Sequence, residues 1–135
     1  MASHRVRRDL EEKTVILDSS ALLMPFEFSV DLEQELTRLL GKYHIVVPAP
    51  IVRELRVLSQ RGDGRKKRIA VASLKLVERY SLVEVNEEHG DDAVVRLAKE
   101  LNGVVVTNDR ELRGRLQAIS IPVVFLRGKQ ILFLE

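Results

Sequence analysis

The chain has 135 residues, 45% of them apolar, with no cysteine, three histidines, and 22 lysines and arginines against 20 acids. That length suits one domain with its own core, and the missing thiols exclude disulfides, thiolate catalysis and Cys-type zinc sites. The net charge of +2 is small, and the uneven placing of the basic residues matters more than the total; no apolar run nears the roughly 20 residues of a membrane span.

Residues 1–13 read as a basic, flexible tail carrying His4, Arg5, Arg7 and Arg8, without the apolar segment of a secretory signal; a cytoplasmic location is the default. A single domain is expected over 14–135. Thr14 to Asp18 reads as a short buried strand. Ser19 to Pro25 reads as a loop or a short helical turn that Pro25 interrupts. Val30, Leu32, Leu36, Leu39 and Leu40 predict a helix over 30–41, stopped at Gly41. Ile45 to Pro48 is a second strand, and Pro50 opens a helix to about Ser59.

The glycines and charges of 61–65 predict a loop, followed by a basic amphipathic helix to about Tyr80. Leu82 to Val85 is a third strand, 91–101 a helix closed by Asn102 and Gly103, Val104 to Thr107 a fourth strand, and 111–119 a helix. Pro122 to Leu126 and Ile131 to Leu134 are terminal strands joined by a turn over 127–130. Strands alternating with helices imply right-handed crossovers and a mainly parallel sheet covered on both faces, a three-layer α/β/α sandwich.

Ligands bind such sheets beyond the carboxyl ends of the strands, where the strand order reverses. In the common 3-2-1-4-5 order, strands one and four are neighbours there. The first ends at Asp18 and the fourth runs into Asp109, so topology alone brings two carboxylates together.

Two more acids join them on helix geometry. At about 100° per residue, Glu54 falls between Val57 and Leu58 on the wheel, on the side expected to be buried. Asp91 projects near the stripe of Val94, Leu97, Ala98 and Leu101, while Asp92 lies opposite it. Each acid also has a plain structural use: Asp18 as a turn residue, Glu54 in a surface ion pair, Asp91 and Asp109 at helix starts. Four together, with few histidines, point to a hard oxygen-preferring cation, Mg²⁺ or Mn²⁺.

Ser20, Thr107 and Asp92 are candidates for the outer shell, although a serine or threonine hydroxyl can equally bond the local backbone. The histidines have no partners at metal-ligand spacing. Arg65, Lys66, Lys67 and Arg68, with Arg53 and Arg56, could bind phosphates; a solvated charged face is the alternative.

Four stretches resemble the PIN-domain family: Val15-Ile-Leu-Asp-Ser-Ser-Ala-Leu22, Val47-Pro-Ala-Pro-Ile-Val-Arg-Glu-Leu55, Asp91-Asp-Ala-Val-Val-Arg-Leu-Ala98 and Val105-Val-Thr-Asn-Asp-Arg-Glu-Leu112. They stand in the family's order across nearly the whole chain beyond the tail. The resemblance implies a Mg²⁺- or Mn²⁺-dependent ribonuclease, more an endonuclease than an exonuclease, with metal acids at Asp18, Glu54, Asp91 and Asp109. Ser19-Ser20 departs from the family's usual polar pair, which leaves the role of Ser20 open.

Ile121 to Arg127 and Thr107 to Leu112 look closer to PIN domains of ribosomal-RNA processing than to those of toxin–antitoxin pairs. RNA is the implied substrate. A second copy of the chain, an antitoxin or a ribosome-assembly factor are the candidate protein partners, and no membrane is expected. A non-catalytic RNA-binding assembly factor is the competing reading, though a scaffold has no need of buried carboxylates. A phosphoacceptor receiver would need a lysine-bearing strand end that is not evident.

Overall fold

The computed structural model describes residues 12–87 and 89–135, so most of the expected basic tail lies outside the described residues. β1 (Lys13–Leu17) is followed by α1 (Ser19–Phe28), α2 (Leu32–Leu40), β2 (Tyr43–Pro48), α3 (Ala49–Arg61) and α4 (Gly64–Val77). β3 (Ser81–Val83), α5 (Gly90–Leu101), β4 (Val104–Val106), α6 (Arg110–Ala118), β5 (Val123–Arg127) and β6 (Ile131–Leu134) complete the chain. β1 begins at Lys13, which pairs with Tyr43 in the sheet.

The strands form one sheet in the order β3-β2-β1-β4-β5-β6. All neighbours are parallel except β6, which returns antiparallel beside β5. Right-handed crossovers put α1 to α4 on one face and α5 and α6 on the other. β1 and β4 are central, and Val15, Ile16, Leu17, Val105 and Val106 are fully buried. Strands covered on both faces read as continuous aliphatic runs rather than alternating ones, which is why these two were the easiest to find.

Pro25 does not stop α1, which runs for ten residues from Ser19 to Phe28 with Pro25 inside it. Ala21, Leu22 and Met24 of that helix are buried, and tertiary packing of this stripe outweighs the one backbone bond that proline removes. Ser29, with φ 57°, ends the helix instead. α2 starts at Leu32 rather than 30, where the Asp31 carboxylate accepts the Gln34 N–H at 3.1 Å. The expected loop over 61–65 shrinks to a break at Gly62 and Asp63, so the basic run lies on the first turns of α4.

Gly103 sits between the end of α5 and β4, where a Cβ would stand 3.0 Å from the Thr14 carbonyl and 2.5 Å from Ile16 Cδ1. One contact is with backbone of the central strand, which cannot step aside without disturbing its pairing. Gly103→Ala should therefore cost about 1–3 kcal/mol, as overpacking does in other cores. Urea unfolding at neutral pH measures it. An unchanged midpoint would mean that β1 yields freely at Thr14.

Candidate active site

Asp18 follows the last residue of β1, and only 3% of its surface is exposed. It caps α1: its Oδ1 accepts the Ala21 N–H at 2.9 Å and the Ser20 hydroxyl at 2.7 Å. Its Oδ2 accepts the Thr107 hydroxyl. A carboxylate offers about four acceptor positions, so one remains, on Oδ2. Burial nevertheless dominates and pushes the Asp18 pKa up to about 6, with the Asp91 charge adding to the rise.

Thr107 and Ser20 tie the ends of β1 and β4 together. Thr107 is fully buried; its hydroxyl donates to Asp18 and accepts the Asp109 N–H at 3.0 Å. Ser20 Oγ donates to Asp18 and accepts the Asn108 N–H at 2.9 Å. Both hydroxyls thus orient the buried acid, the function left open for Ser20. Asn108 was the less obvious member. Its Oδ1 accepts the Leu126 N–H at 2.9 Å, which joins this corner to β5. Asp109 is exposed and caps α6 by accepting the Leu112 N–H at 2.9 Å.

Glu54 differs from expectation. It is exposed, as are its wheel neighbours Val57 (45%) and Leu58 (40%). The buried stripe of α3 is Ile51, Val52 and Leu55, so the apolar arc was drawn too wide: Val57 and Leu58 are surface residues. The Glu54 carboxylate still leans inward, since its Oε1 accepts the Gly90 N–H at 3.0 Å. Partial desolvation there outweighs that bond and raises its pKa, and the Asp91 charge adds to the shift. A side chain on Gly90 would collide with this carboxylate and come within 2.7 Å of Ile51 Cδ1. Gly90 was not singled out from sequence, although a glycine directly before Asp91 was a visible cue.

Asp91, on the first turn of α5, links the group. Its pKa is raised by desolvation first and then by Asp109, partly offset by Arg115. Asp91 contributes in turn to the raised values of Asp18 and Glu54. Asp92 is drawn elsewhere, to Arg115 of α6 at 2.9 Å. Among the basic candidates, Arg53, Arg56, Arg65, Lys66, Lys67 and Arg68 are all exposed. Glu54 and Arg61 are seven residues apart on one helix, about 10 Å, so the 65–68 cluster begins beyond that distance along the chain.

Among the described residues, no three histidine or acidic side chains form a ready-made metal cage. The donor chemistry nonetheless suits a hard cation that keeps several waters and meets carboxylates loosely: every candidate ligand is oxygen, three acids have raised pKa values, and Asp18 has an acceptor position to spare.

Without a cation, Asp18 burdens the fold. Its folded pKa lies above its unfolded value of 3.8, so the native state holds the proton longer. Stability falls as pH rises from about 4 to about 6, and the full cost of about 3 kcal/mol stands above that window. In chelator, Asp18→Asn should therefore raise Tm at neutral pH and lose that advantage near pH 4. Equal Tm values for the two proteins at neutral pH would show that the carboxylate is not strained.

A family model described as a PIN-like domain matches residues 15–129. Ribonuclease VapC4 of Methanocaldococcus jannaschii is 34% identical over 120 residues, 86% of this chain and 92% of the relative. Ribonuclease VapC9 of Archaeoglobus fulgidus is 28% identical, over 95% and 93% of the two chains. In fold, the chain is similar to the PIN domain endonuclease Utp24, with a TM-score of 0.74 and 24% identity over 90% of each chain. VapBC2 from Rickettsia felis, in a complex with a promoter DNA fragment, matches with a TM-score of 0.60 and 13% identity over 83% and 98%. With the family model spanning residues 15–129 and a relative 34% identical over 86% of the chain, this chain belongs to the PIN-like domain family.

Proposed function

We propose that the protein is a Mg²⁺- or Mn²⁺-dependent ribonuclease, cleaving within RNA, built on one PIN-like domain over 14–135. The observation that carries this reading is the buried Asp18 carboxylate, held by Ser20, Thr107 and the Ala21 N–H beside Asp91. A scaffold gains nothing from a charge that destabilises it. A hydrolase that must collect positive charge does.

Asp18, Asp91 and Asp109 would hold the cation, with Glu54 completing the shell through water. When bound, it supplies charge neutralisation at the scissile phosphate and a more acidic water. The chain's own part is positional. Thr107 and Ser20 keep the Asp18 carboxylate oriented, the Gly90 N–H holds Glu54 inward, and Arg115 draws Asp92 aside. Arg53 and Arg56, on the helix that carries Glu54, and the cluster 65–68 would take flanking phosphates.

Relatives named ribonuclease VapC, matched along nearly their full length, support a toxin-type enzyme with an antitoxin partner. The ribosomal-RNA reading rests on the resemblance of residues 107–112 and 121–127 alone; the likeness to the PIN domain endonuclease Utp24 is one of fold. The sequence relatives make the toxin-type reading the stronger of the two. RNA taken from cells before and after induction separates them: cuts in transfer or messenger RNA favour the toxin, and a single cut in a ribosomal precursor favours processing.

With Mn²⁺, the wild type should cleave labelled single-stranded RNA, and chelator should stop it. Asp18→Asn and Glu54→Gln should lower the rate by about a hundredfold or more, the loss expected when charge stabilisation at the reacting centre fails. Mn²⁺ should also raise the Tm of the wild type but not of Asp18→Asn, since a ligand that binds only the native state stabilises it. Full activity in the Asn variant would remove Asp18 from the site.

Replacing Arg65, Lys66, Lys67 and Arg68 with alanine should weaken RNA binding and flatten its salt dependence by about 0.7 logarithmic units per lost phosphate contact. The Mn²⁺-induced rise in Tm should be unaffected. Parallel salt slopes for variant and wild type would make these residues a solvated face only.

A further inference from the structure

Beside the acids lies a cleft of about 650 Å³ between the start of α6 and the β5–β6 hairpin. Arg110, Arg113 and Arg127 line it, together with Phe28, Phe125 and Phe133, and Glu135 is the one acid among its lining residues. Arg38, Arg79, Arg96 and Arg115 are each fixed in an ion pair. Arg110, Arg113 and Arg127 have no such partner among the described residues. Two of them lie on aromatic rings instead: Arg113 stands 4.3 Å from the centroid of Phe125, and Arg127 5.2 Å from that of Phe133. The rings are themselves neighbours, 6.5 Å apart.

A guanidinium held over a ring keeps its hydrogen-bond donors for another ligand and has less conformational freedom left to lose on binding. It also presents a plane on which an unpaired base can stack. Phe28 and Phe133, 42% and 40% exposed, add ring surface. Positive charge without partners, together with flat stacking surfaces, is the combination that binds single-stranded nucleic acid without sequence preference.

The cleft is also joined to the acids. Asn108 lines it, its N–H donates to Ser20 Oγ, and Ser20 donates to Asp18. Its side-chain oxygen is fixed by the Leu126 N–H on the cleft's other wall. Arg110 directly follows Asp109 in the chain.

We infer that this cleft is a single-stranded RNA subsite that holds the strand beside the cleavage point, with Arg110, Arg113 and Arg127 on phosphates and the guanidinium and phenylalanine planes under bases. The identity of the strand as RNA rests on the ribonuclease reading; the subsite itself rests on the geometry of the cleft. An acidic peptide segment meets the same charges but gains nothing from the stacked planes.

The test is binding of a short fluorescent oligouridylate by the full chain in excess chelator, where no cleavage can occur. Arg113→Ala with Arg127→Ala should weaken binding at least tenfold at low salt and reduce the salt slope by about 1.4, two contacts at about 0.7 each. Arg113→Lys with Arg127→Lys guards against loss of folding: it should keep most of the salt slope yet still bind several-fold more weakly, because the planar stack is lost. Wild-type affinity and slope in both double variants would overturn the subsite. So would tighter wild-type binding of an acidic peptide than of the oligonucleotide. RNA binding that depends on the cleft, in a protein that cuts no RNA with Mn²⁺, would sink the ribonuclease reading and leave the subsite standing. Cleavage together with cleft-independent binding would do the reverse.

Discussion

The structure turns on one carboxylate placed where little water reaches it, with only 3% of its surface exposed. β1 is central in the sheet and covered on both faces, so whatever follows Leu17 enters a poorly solvated corner. Asp18 is kept ionisable there by three donors from two segments: the Ala21 N–H and Ser20 hydroxyl of α1, and the Thr107 hydroxyl after β4. The last donor is available only because β4 lies beside β1, in register from Val15–Val104 to Leu17–Val106. The strand order that builds the sheet therefore also builds the site. Neither can be changed without the other.

Around this point the acids are graded by exposure. Asp18 is buried, Asp91 is half-buried at the start of α5, and Asp109 and Glu54 stand at the surface. Asp18, Asp91 and Glu54 all have raised pKa values, by desolvation first and by the charge of a neighbouring acid in addition. That cost is stored in the folded protein and is relieved by a proton or a cation. Three of the four acids are also fixed by backbone N–H groups at or near helix starts, so the site can be negatively charged and still be geometrically defined.

Much of this was legible from sequence because burial leaves a strong signature. Continuous valines and isoleucines mark the central strands, and an aspartate at the end of such a run stands out, which found Asp18 and Asp109. Helix periodicity selected Asp91 over Asp92; in the structure the Asp91 charge acts on Asp18 and Glu54, while Asp92 pairs with Arg115. The same reasoning misjudged Glu54, because Val57 and Leu58 are apolar yet exposed, and a wheel cannot tell a core face from an apolar surface patch. Pro25 misled for a related reason, since local propensity does not include what Ala21, Leu22 and Met24 gain by packing. Gly90 left only the cue of a glycine directly before Asp91, and the arginine–phenylalanine cleft left none. Their meaning comes from a close approach to Glu54 in one case and from contacts between residues 28, 108–113 and 125–133 in the other.

The net charge of +2 conceals a division of labour. A phosphodiester reaching the carboxyl edge of the sheet meets like charge at Asp18, Asp91 and Asp109 and opposite charge at Arg110, Arg113 and Arg127. Without a cation, the acids oppose the phosphate that the arginines attract, and the strand would be held only on the cleft side. On the proposed reading, a divalent ion among the acids would reverse the sign at the centre and make the two regions act together. By thermodynamic linkage the effect runs both ways: whatever the ion adds to RNA affinity, bound RNA adds to ion affinity. On the same reading, acids that form no ready-made cage among the described residues are then an advantage, because the ion would be held best when a phosphate supplies further oxygens. The strained carboxylate, the loose acid cluster and the neighbouring cleft thus follow from one requirement, that negative charge be brought to a negative site.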